Sequence, residues 1–472
     1  MKHIRSSIQV LSRREIERIH QASVEVLRQV GVEVPNERLL QRLRSLGADL
    51  QGPIVRIPEQ LLDRVLGEVA PARRMRSPWS TYRGQVRVDN SSQTLMVDYP
   101  EMRRRPGTLD DVLRGIVLSN ALPTVARALP VVVPSDVPLS VAPVESYRLG
   151  CLYSRKPFHV FFGLQAAPHL CRMAAVLAEA TGRPRRELGF GFSFGAISPL
   201  RFAEEDLATA LLVAGEGWPV SCYSFPVIGT TAPASLAGAL VLSNAERLAC
   251  LVLMWLWGEG GYAETSVDDP CIADPRSLAP SFGHPNITTF AIANSQLCRF
   301  YGLRPGGGLA LSDAKQVDFQ SGFERGTGAI LSILSGGGIG PSGIAGTDEG
   351  ASLEKLVIED AALSALNWIG AGVEVTDESL AVDLIKEVGI AGTYLDQPHT
   401  ARYLRREFWS SPLFPRETWT AWEERGGESL LDRAHRQVQR LLAEGYPPPL
   451  VQSEETVCRL EALVAAARQE LA

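Results

Sequence analysis

The stretch Gly306-Gly307-Gly308-Leu309-Ala310-Leu311-Ser312-Asp313-Ala314-Lys315-Gln316-Val317-Asp318-Phe319-Gln320-Ser321-Gly322-Phe323-Glu324 joins glycines, a short apolar step and a burst of polar groups. That order is expected where a strand ends and a helix begins, and in barrel enzymes such junctions hold the chemistry. Ser312, Asp313, Lys315, Asp318 and Gln320 would then fall just past the strand, on the catalytic face. For Ser312 or Asp313 the commoner role of the residue type is to cap the helix that follows. Lys315 has two open readings: a counter-charge for a substrate carboxylate, or a partner for Asp313 and Asp318. The run Arg304-Pro305-Gly306-Gly307-Gly308 can offer backbone N–H groups to a phosphate but lacks the Lys-Ser/Thr ending of a phosphate loop. Close packing at a strand start is the simpler role.

Working outward, the same strand–loop–helix order recurs. Strand-like runs are Leu129 to Val133, Phe158 to Phe162, Leu188 to Phe194, Val220 to Phe225, Tyr262 to Ser266, Gly307 to Leu311 and Gly337 to Gly340. Helix-length segments such as Ala203 to Gly215 and Ala234 to Trp257 separate several of them, which is the pattern of a parallel sheet with crossover helices. Seven or eight such units, with no GxGxxG turn opening a helix, predict an α/β fold in the form of a (β/α)8 TIM barrel over residues 106–390. Before it, residues 1–105 read as a helical cap and hairpin. Ser12 with Glu15 forms a capping-box pattern, and Gln85 to Asp89 with Thr94 to Tyr99 alternate as two strands. After it, residues 391–472 read as a helical extension. Leu430 to Leu442 is amphipathic, suited to packing on the barrel or to docking a partner.

Composition excludes several classes. The 472 residues carry 47 Lys and Arg against 53 Asp and Glu, a formal charge of −6, so no basic surface for nucleic acid is expected. The seven cysteines are scattered without a CxxC pair, which suits reduced thiols in the cytoplasm. No signal-peptide pattern opens the chain, and the apolar run Leu248 to Trp257 is too short for a bilayer, so no membrane role is expected. The seven histidines show no pair at ligand spacing, and no metal site is predicted. No nucleophile elbow is present either.

Aromatic residues crowd the strand-like runs. Most such residues are core, but those nearest strand C-termini, Tyr99, Phe162, Phe194 and Phe225, can also form a cage whose ring faces hold a quaternary ammonium.

The opening stretch, together with Thr230-Thr231-Ala232-Pro233-Ala234-Ser235-Leu236-Ala237-Gly238-Ala239-Leu240-Val241-Leu242-Ser243-Asn244-Ala245-Glu246 and His399-Thr400-Ala401-Arg402-Tyr403-Leu404-Arg405-Arg406-Glu407-Phe408-Trp409, resembles the trimethylamine methyltransferase family from about residue 10 to the C-terminus. The resemblance implies a (β/α)8 barrel that moves a methyl group from an amine to the cobalt of a separate corrinoid protein. It also implies no tightly bound cofactor, and the corrinoid protein, a small methylated amine and a homo-oligomer as partners. No pyrrolysine is present, which points to the branch acting on quaternary amines such as glycine betaine. Asp98-Tyr99 matches the family's aromatic after its first hairpin. The chain departs from the family in the loop from Gly336 to Lys355, where Pro341 and Ser342 stand in place of a His and bulkier residues, and at Trp255 and Trp257. The expected substrate-binding residues are therefore Tyr99, Phe162, Phe194, Phe225, Glu264, Ser312, Asp313, Lys315 and Ser342. Two competing readings are a barrel enzyme of another class, binding a phosphate or carboxylate with Lys315 or Glu264 as acid or base, and a non-catalytic barrel binding a small cation or a carrier protein.

Overall fold

The computed structural model describes residues 8–72, 86–257, 267–268, 270–303, 305, 310–445, 450–451 and 453–471. The fold is mixed α/β. Its helices begin where the sequence supplies acceptors for their unpaired N–H groups. Ser12 and Glu15 close a capping box on Arg13–Gln29, and Thr108 and Asp111 close one on Leu109–Ala121. Ser235 caps Leu236–Leu256, Asp318 caps Phe319–Ser335 and Ser352 caps Leu353–Gly370.

The strands are short and their central contacts are parallel. Val88–Asp89 lies beside Val125–Arg127, with Asp89 opposite Arg127. Ala128 bridges Phe158 in parallel, and the Phe158 N–H donates to the Leu188 carbonyl at 2.8 Å. Phe192–Ile197 pairs with Val220–Ser224, which in turn pairs with Val267–Asp268. On the other side of Val88–Asp89, Asn90 bridges Ser342 in parallel, and the Ser342 N–H donates to the Asp89 carbonyl at 2.9 Å. The succession thus runs from residue 342 through 88–90, 125–128, 158, 188–197 and 220–224 to 267–268.

Two expectations change at this level. The hairpin is built from Leu95–Asp98 and Arg103–Pro106, antiparallel. Val88–Asp89 instead joins the parallel series, because the turn signal lies at Tyr99-Pro100 and Glu101-Met102 rather than at residues 90–93. This also brings a parallel strand into the segment before residue 106. The strand-like run Tyr262 to Ser266, and residues 307–309 of the run Gly307 to Leu311, lie outside the described residues. Ala310 takes a left-handed backbone with φ of 64°.

Packing places helices on the outer face of the strands. Leu236–Leu256 is the one helix among the described residues that is long and apolar enough to cross a bilayer, yet 72% of its apolar window is buried inside the fold. Its buried Glu246 accepts from the hydroxyls of Ser198 at 2.8 Å and Ser224 at 2.5 Å and from the Leu200 N–H at 2.9 Å. The N-terminal helix is fastened to it through Ser23, which donates to the Val241 carbonyl at 3.0 Å and accepts from Asn244 at 2.9 Å. Arg325 of the helix Phe319–Ser335 ties three backbone segments together. It donates to the carbonyls of Ala310 at 2.6 Å and Gly340 at 3.1 Å and to the Ser342 hydroxyl at 2.9 Å. Glu359 stands 3.5 Å away as its counter-charge.

Removing one member of such a buried charged set leaves the other uncompensated. Arg325→Met is therefore expected to lower stability by about 3–5 kcal/mol in urea unfolding. A loss below about 1 kcal/mol would mean that Lys355, 3.9 Å from Glu359, already neutralises the site.

Candidate functional site

Strand and loop residues line a cavity of about 610 Å³ whose wall includes Arg87, Asp89, Gln93, Arg127, Leu129, His159, Phe161, Ser193, Ser221, Tyr223, Phe225, Phe282, Leu311, Pro341, Ile344 and Asp348. Which residues reach it follows from the two-residue alternation of a strand. Along Val220–Ser224 and the residue after it, Ser221, Tyr223 and Phe225 face the cavity, while Ser224 points outward to Glu246 of the packed helix. On the neighbouring strand Ser193 faces in, and Phe194 faces out against Trp257, with ring centroids 5.1 Å apart.

The ring of Tyr223 lies over the adjacent strand at Gly195, its partner in the register. A Cβ at Gly195 would sit 2.3 Å from that ring, so only glycine leaves room for it to lie flat on the wall. Phe225 faces Phe282 across 6.0 Å, and Phe161, 62% exposed, stands edge-on to His159 at 5.3 Å. Beside these rings the Ser193 and Ser221 hydroxyls meet at 2.6 Å. Arg127 donates twice to Asp89, at 3.1 and 2.5 Å, and Gln93 donates to Asp348 at 2.7 Å. His159 is buried and its Nδ1 has no hydrogen-bond partner. Burial, aided by the charge of Arg127, pushes its imidazole down to about 3.

The predicted residues divide. Phe225 lines the cavity. Phe162 is off by one position: it stacks on Phe190 at 5.6 Å, and Phe161 takes the inward place. Phe194 is also off by one, its outward side chain belonging to the core. Tyr99 lies away from the cavity, bonded to Asp432 and 4.4 Å from the ring of His435, because its hairpin runs out to the C-terminal helix Leu430–Ala443. Ser312 is buried and donates to Glu324 at 2.8 Å. Asp313 accepts from the Ser281 hydroxyl and from the N–H groups of Phe282 at 2.9 Å and Gly283 at 3.0 Å, which holds the loop that brings Phe282 to the wall. Neither caps the next helix; Asp318 does. The Lys315 ammonium is exposed and donates to the Asp313 carbonyl at 2.9 Å, outside the cavity wall. Ser342 is buried and takes its hydrogen bond from Arg325, while neighbouring Pro341 reaches the wall. Glu264 lies outside the described residues.

Sequence reasoning missed Arg127, His159, Phe161, Ser193, Ser221, Tyr223 and Asp348. The signal was the phase of the alternation, since Ser193 and Ser221 are small polar residues within otherwise buried strands, where an outward position would have been apolar. Among the described residues no group of three or more His, Cys, Asp or Glu is placed to hold a metal ion.

The wall can hold a cation against ring faces. Among the described wall residues His159 stays neutral and carries no charge that would repel a cation. A free imidazole protonates near pH 6.5. Stability tied to His159 is therefore fully present above that value and is lost as pH falls toward the folded value of about 3. In a histidine NMR titration His159 is expected to show no protonation step between about pH 4 and 9, and His159→Gln should flatten the acid limb of stability. A step near 6.5 would mean that water reaches the ring.

Comparison with known proteins identifies relatives of the chain. The chain is 28% identical to a glycine betaine methyltransferase of Desulfitobacterium hafniense (strain Y51), covering 98% of each. It is 26% identical to a proline betaine:corrinoid methyltransferase of Eubacterium limosum, over 95% of this chain and 96% of the relative. It is also 26% identical to the trimethylamine methyltransferase MttB of Desulfitobacterium hafniense (strain DSM 10664 / DCB-2), over 92% and 90%. Among solved structures, the Methanosarcina barkeri monomethylamine methyltransferase MtmB aligns over 98% of this chain and 89% of its own, at 13% identity and a TM-score of 0.49. The family model for trimethylamine methyltransferase (MTTB) matches residues 1–472, and the chain therefore belongs to the trimethylamine methyltransferase family.

Proposed function

We propose that this protein is a methyltransferase that moves a methyl group from a betaine-like quaternary amine to the cobalt of a separate corrinoid protein. The observation that carries the reading is the aromatic wall of the cavity, Phe161, Tyr223, Phe225 and Phe282, and the reaction it suits requires no general acid. A quaternary ammonium needs none. Its N–CH3 bond breaks with the electron pair staying on nitrogen, which leaves as a neutral tertiary amine. The pair for the new cobalt–carbon bond comes from cobalt(I), and no proton moves. The chain's task is to desolvate the cation, orient the methyl group and keep water out. Names of relatives acting on glycine betaine and proline betaine support the substrate class, and the family supports a corrinoid protein as partner.

The finer architecture belongs to the same proposal. The succession of parallel contacts from residue 342 to 267–268 lacks one member between its ends, and the segment from residue 311, whose Leu311 reaches the cavity wall, would fill that place in an eight-membered barrel beginning near residue 86. Arg325, bonded to both Ala310 and Gly340, supports that placement. In this reading the N-terminal helices and the C-terminal helices flank the barrel, the enzyme works in the cytoplasm with its cysteines as free thiols, and it assembles as a homo-oligomer.

The test is spectroscopic. Purified protein mixed with cobalt(I) corrinoid protein and glycine betaine is expected to produce methyl-cobalt, and Tyr223→Ala to lower kcat/KM roughly 2- to 30-fold, the equivalent of about 0.5–2 kcal/mol for a cation on a ring face. Gly195→Ala, which drives a Cβ into that ring, should act in the same direction. Failure to methylate cobalt with any quaternary amine, when the corrinoid protein is shown to be competent, would defeat the proposal.

A further inference from the structure

The inward positions of the parallel strands fall into two tiers. On four of the strands the first wall residue is polar: Arg127, His159, Ser193 and Ser221. The next one, two residues on, is apolar or aromatic: Leu129 after Arg127, Phe161 after His159, Tyr223 and then Phe225 after Ser221. After Ser193 comes Gly195, which the Tyr223 ring covers. Within each of these parallel strands the polar residue lies N-terminal to the apolar or aromatic one, and the register sets Ser193 beside Ser221 and Gly195 beside Tyr223. The two are about 7 Å apart, the rise of two residues.

Charge is sorted the same way. Among the described wall residues, Arg87, Arg127 and Asp89 stand at the start of the segment 87–93. Asp348, held by Gln93, stands at its end, about 13 Å further along. In the polar tier the paired Ser193 and Ser221 hydroxyls share one hydrogen bond, which leaves the second hydroxyl proton able to point into the cavity. His159, neutral and with an unpartnered Nδ1, adds a donor or acceptor without a competing charge.

We propose that this cavity is a receptor for a zwitterion, with the substrate's carboxylate received by Arg127 and the Ser193–Ser221 pair, and its methylated ammonium seated between Tyr223, Phe225 and Asp348. The arrangement sets the orientation: the N-methyl group points toward the C-terminal ends of the strands, the side from which a large methyl acceptor must approach. It assigns the carboxylate contact to Arg127 rather than to Lys315, whose ammonium is occupied outside the wall. The inference rests on the betaine reading for its ligand class, but binding tests it without methyl transfer.

The experiment is calorimetric titration of the purified protein, without corrinoid protein, with glycine betaine and with tetramethylammonium, which keeps the cation and lacks the carboxylate. Arg127→Met should weaken glycine betaine by roughly tenfold or more, as loss of a charge-assisted contact does, and leave tetramethylammonium unchanged. Ser221→Ala should act in the same direction, more weakly. Tyr223→Ala should weaken both ligands by a similar factor. Because Arg127→Met leaves Asp89 without its partner, the double variant Asp89→Asn/Arg127→Met is the control for folding, and it should show the same selective loss. Equal loss of both ligands in the Arg127 variants, or betaine binding untouched by them, overturns the two-tier assignment, as does a wild-type protein that binds neither ligand. The selective pattern in a protein that never methylates cobalt would uphold the receptor and defeat the transfer reaction. Methyl transfer without the selective pattern would do the reverse.

Discussion

The constraint on which this structure depends is that the strands Phe192–Ile197 and Val220–Ser224 pack helices against the side turned away from the cavity. Side chains alternate along a strand, so burial of the outer set against helices dictates the inner set. Phe194 and Phe192 go outward with Trp257 and Phe162, and Ser224 goes outward to Glu246. Ser193, Ser221, Tyr223 and Phe225 are thereby committed to the cavity. A one-residue slip would put two hydroxyls into the core and a phenylalanine into the cavity, and the cost of unpaired polar groups on the buried side forbids it.

Buried charge does the joining. Arg325 reaches the carbonyls of Ala310 and Gly340 and the Ser342 hydroxyl, while Glu359 accepts from the Gly343 N–H at 3.0 Å. These groups sit where the backbone is irregular and cannot satisfy itself by a regular ladder. Asp313 acts similarly at the loop carrying Phe282. Residues that looked like substrate ligands in the sequence, Ser312, Asp313 and Ser342, are thus the supports of the wall. Their position just past a strand end made them candidates for either role, and sequence spacing does not tell a side chain that turns into the cavity from one that turns back to bind the loop.

In the proposed reading, the cavity acts through environment more than through reactive groups. His159 is stripped of its charge by burial, and the serine hydroxyls have each other as partners. What the cavity offers a ligand is shape, ring faces and a separation of charge. Those are the means suited to a donor that releases its methyl group without proton transfer.

The α/β class, several helices with their capping residues, the strand Val220–Ser224 and the family were legible in the sequence, because these follow from local periodicity, local hydrogen bonding and motif order. Helices Glu204–Gly215, Leu236–Leu256 and Leu430–Ala443 appear close to where their patterns place them. Only the tertiary structure decided which of two adjacent residues faces the cavity, so that Phe161 and Tyr223 replace Phe162 and Phe194 on its wall. It also decided that Tyr99 turns to Asp432 and His435, more than three hundred positions away in the chain, and that Arg127 rather than Lys315 stands on the wall. Inward phase and long-range partners depend on what packs against the other side of each strand, and a single strand's sequence does not contain that surface.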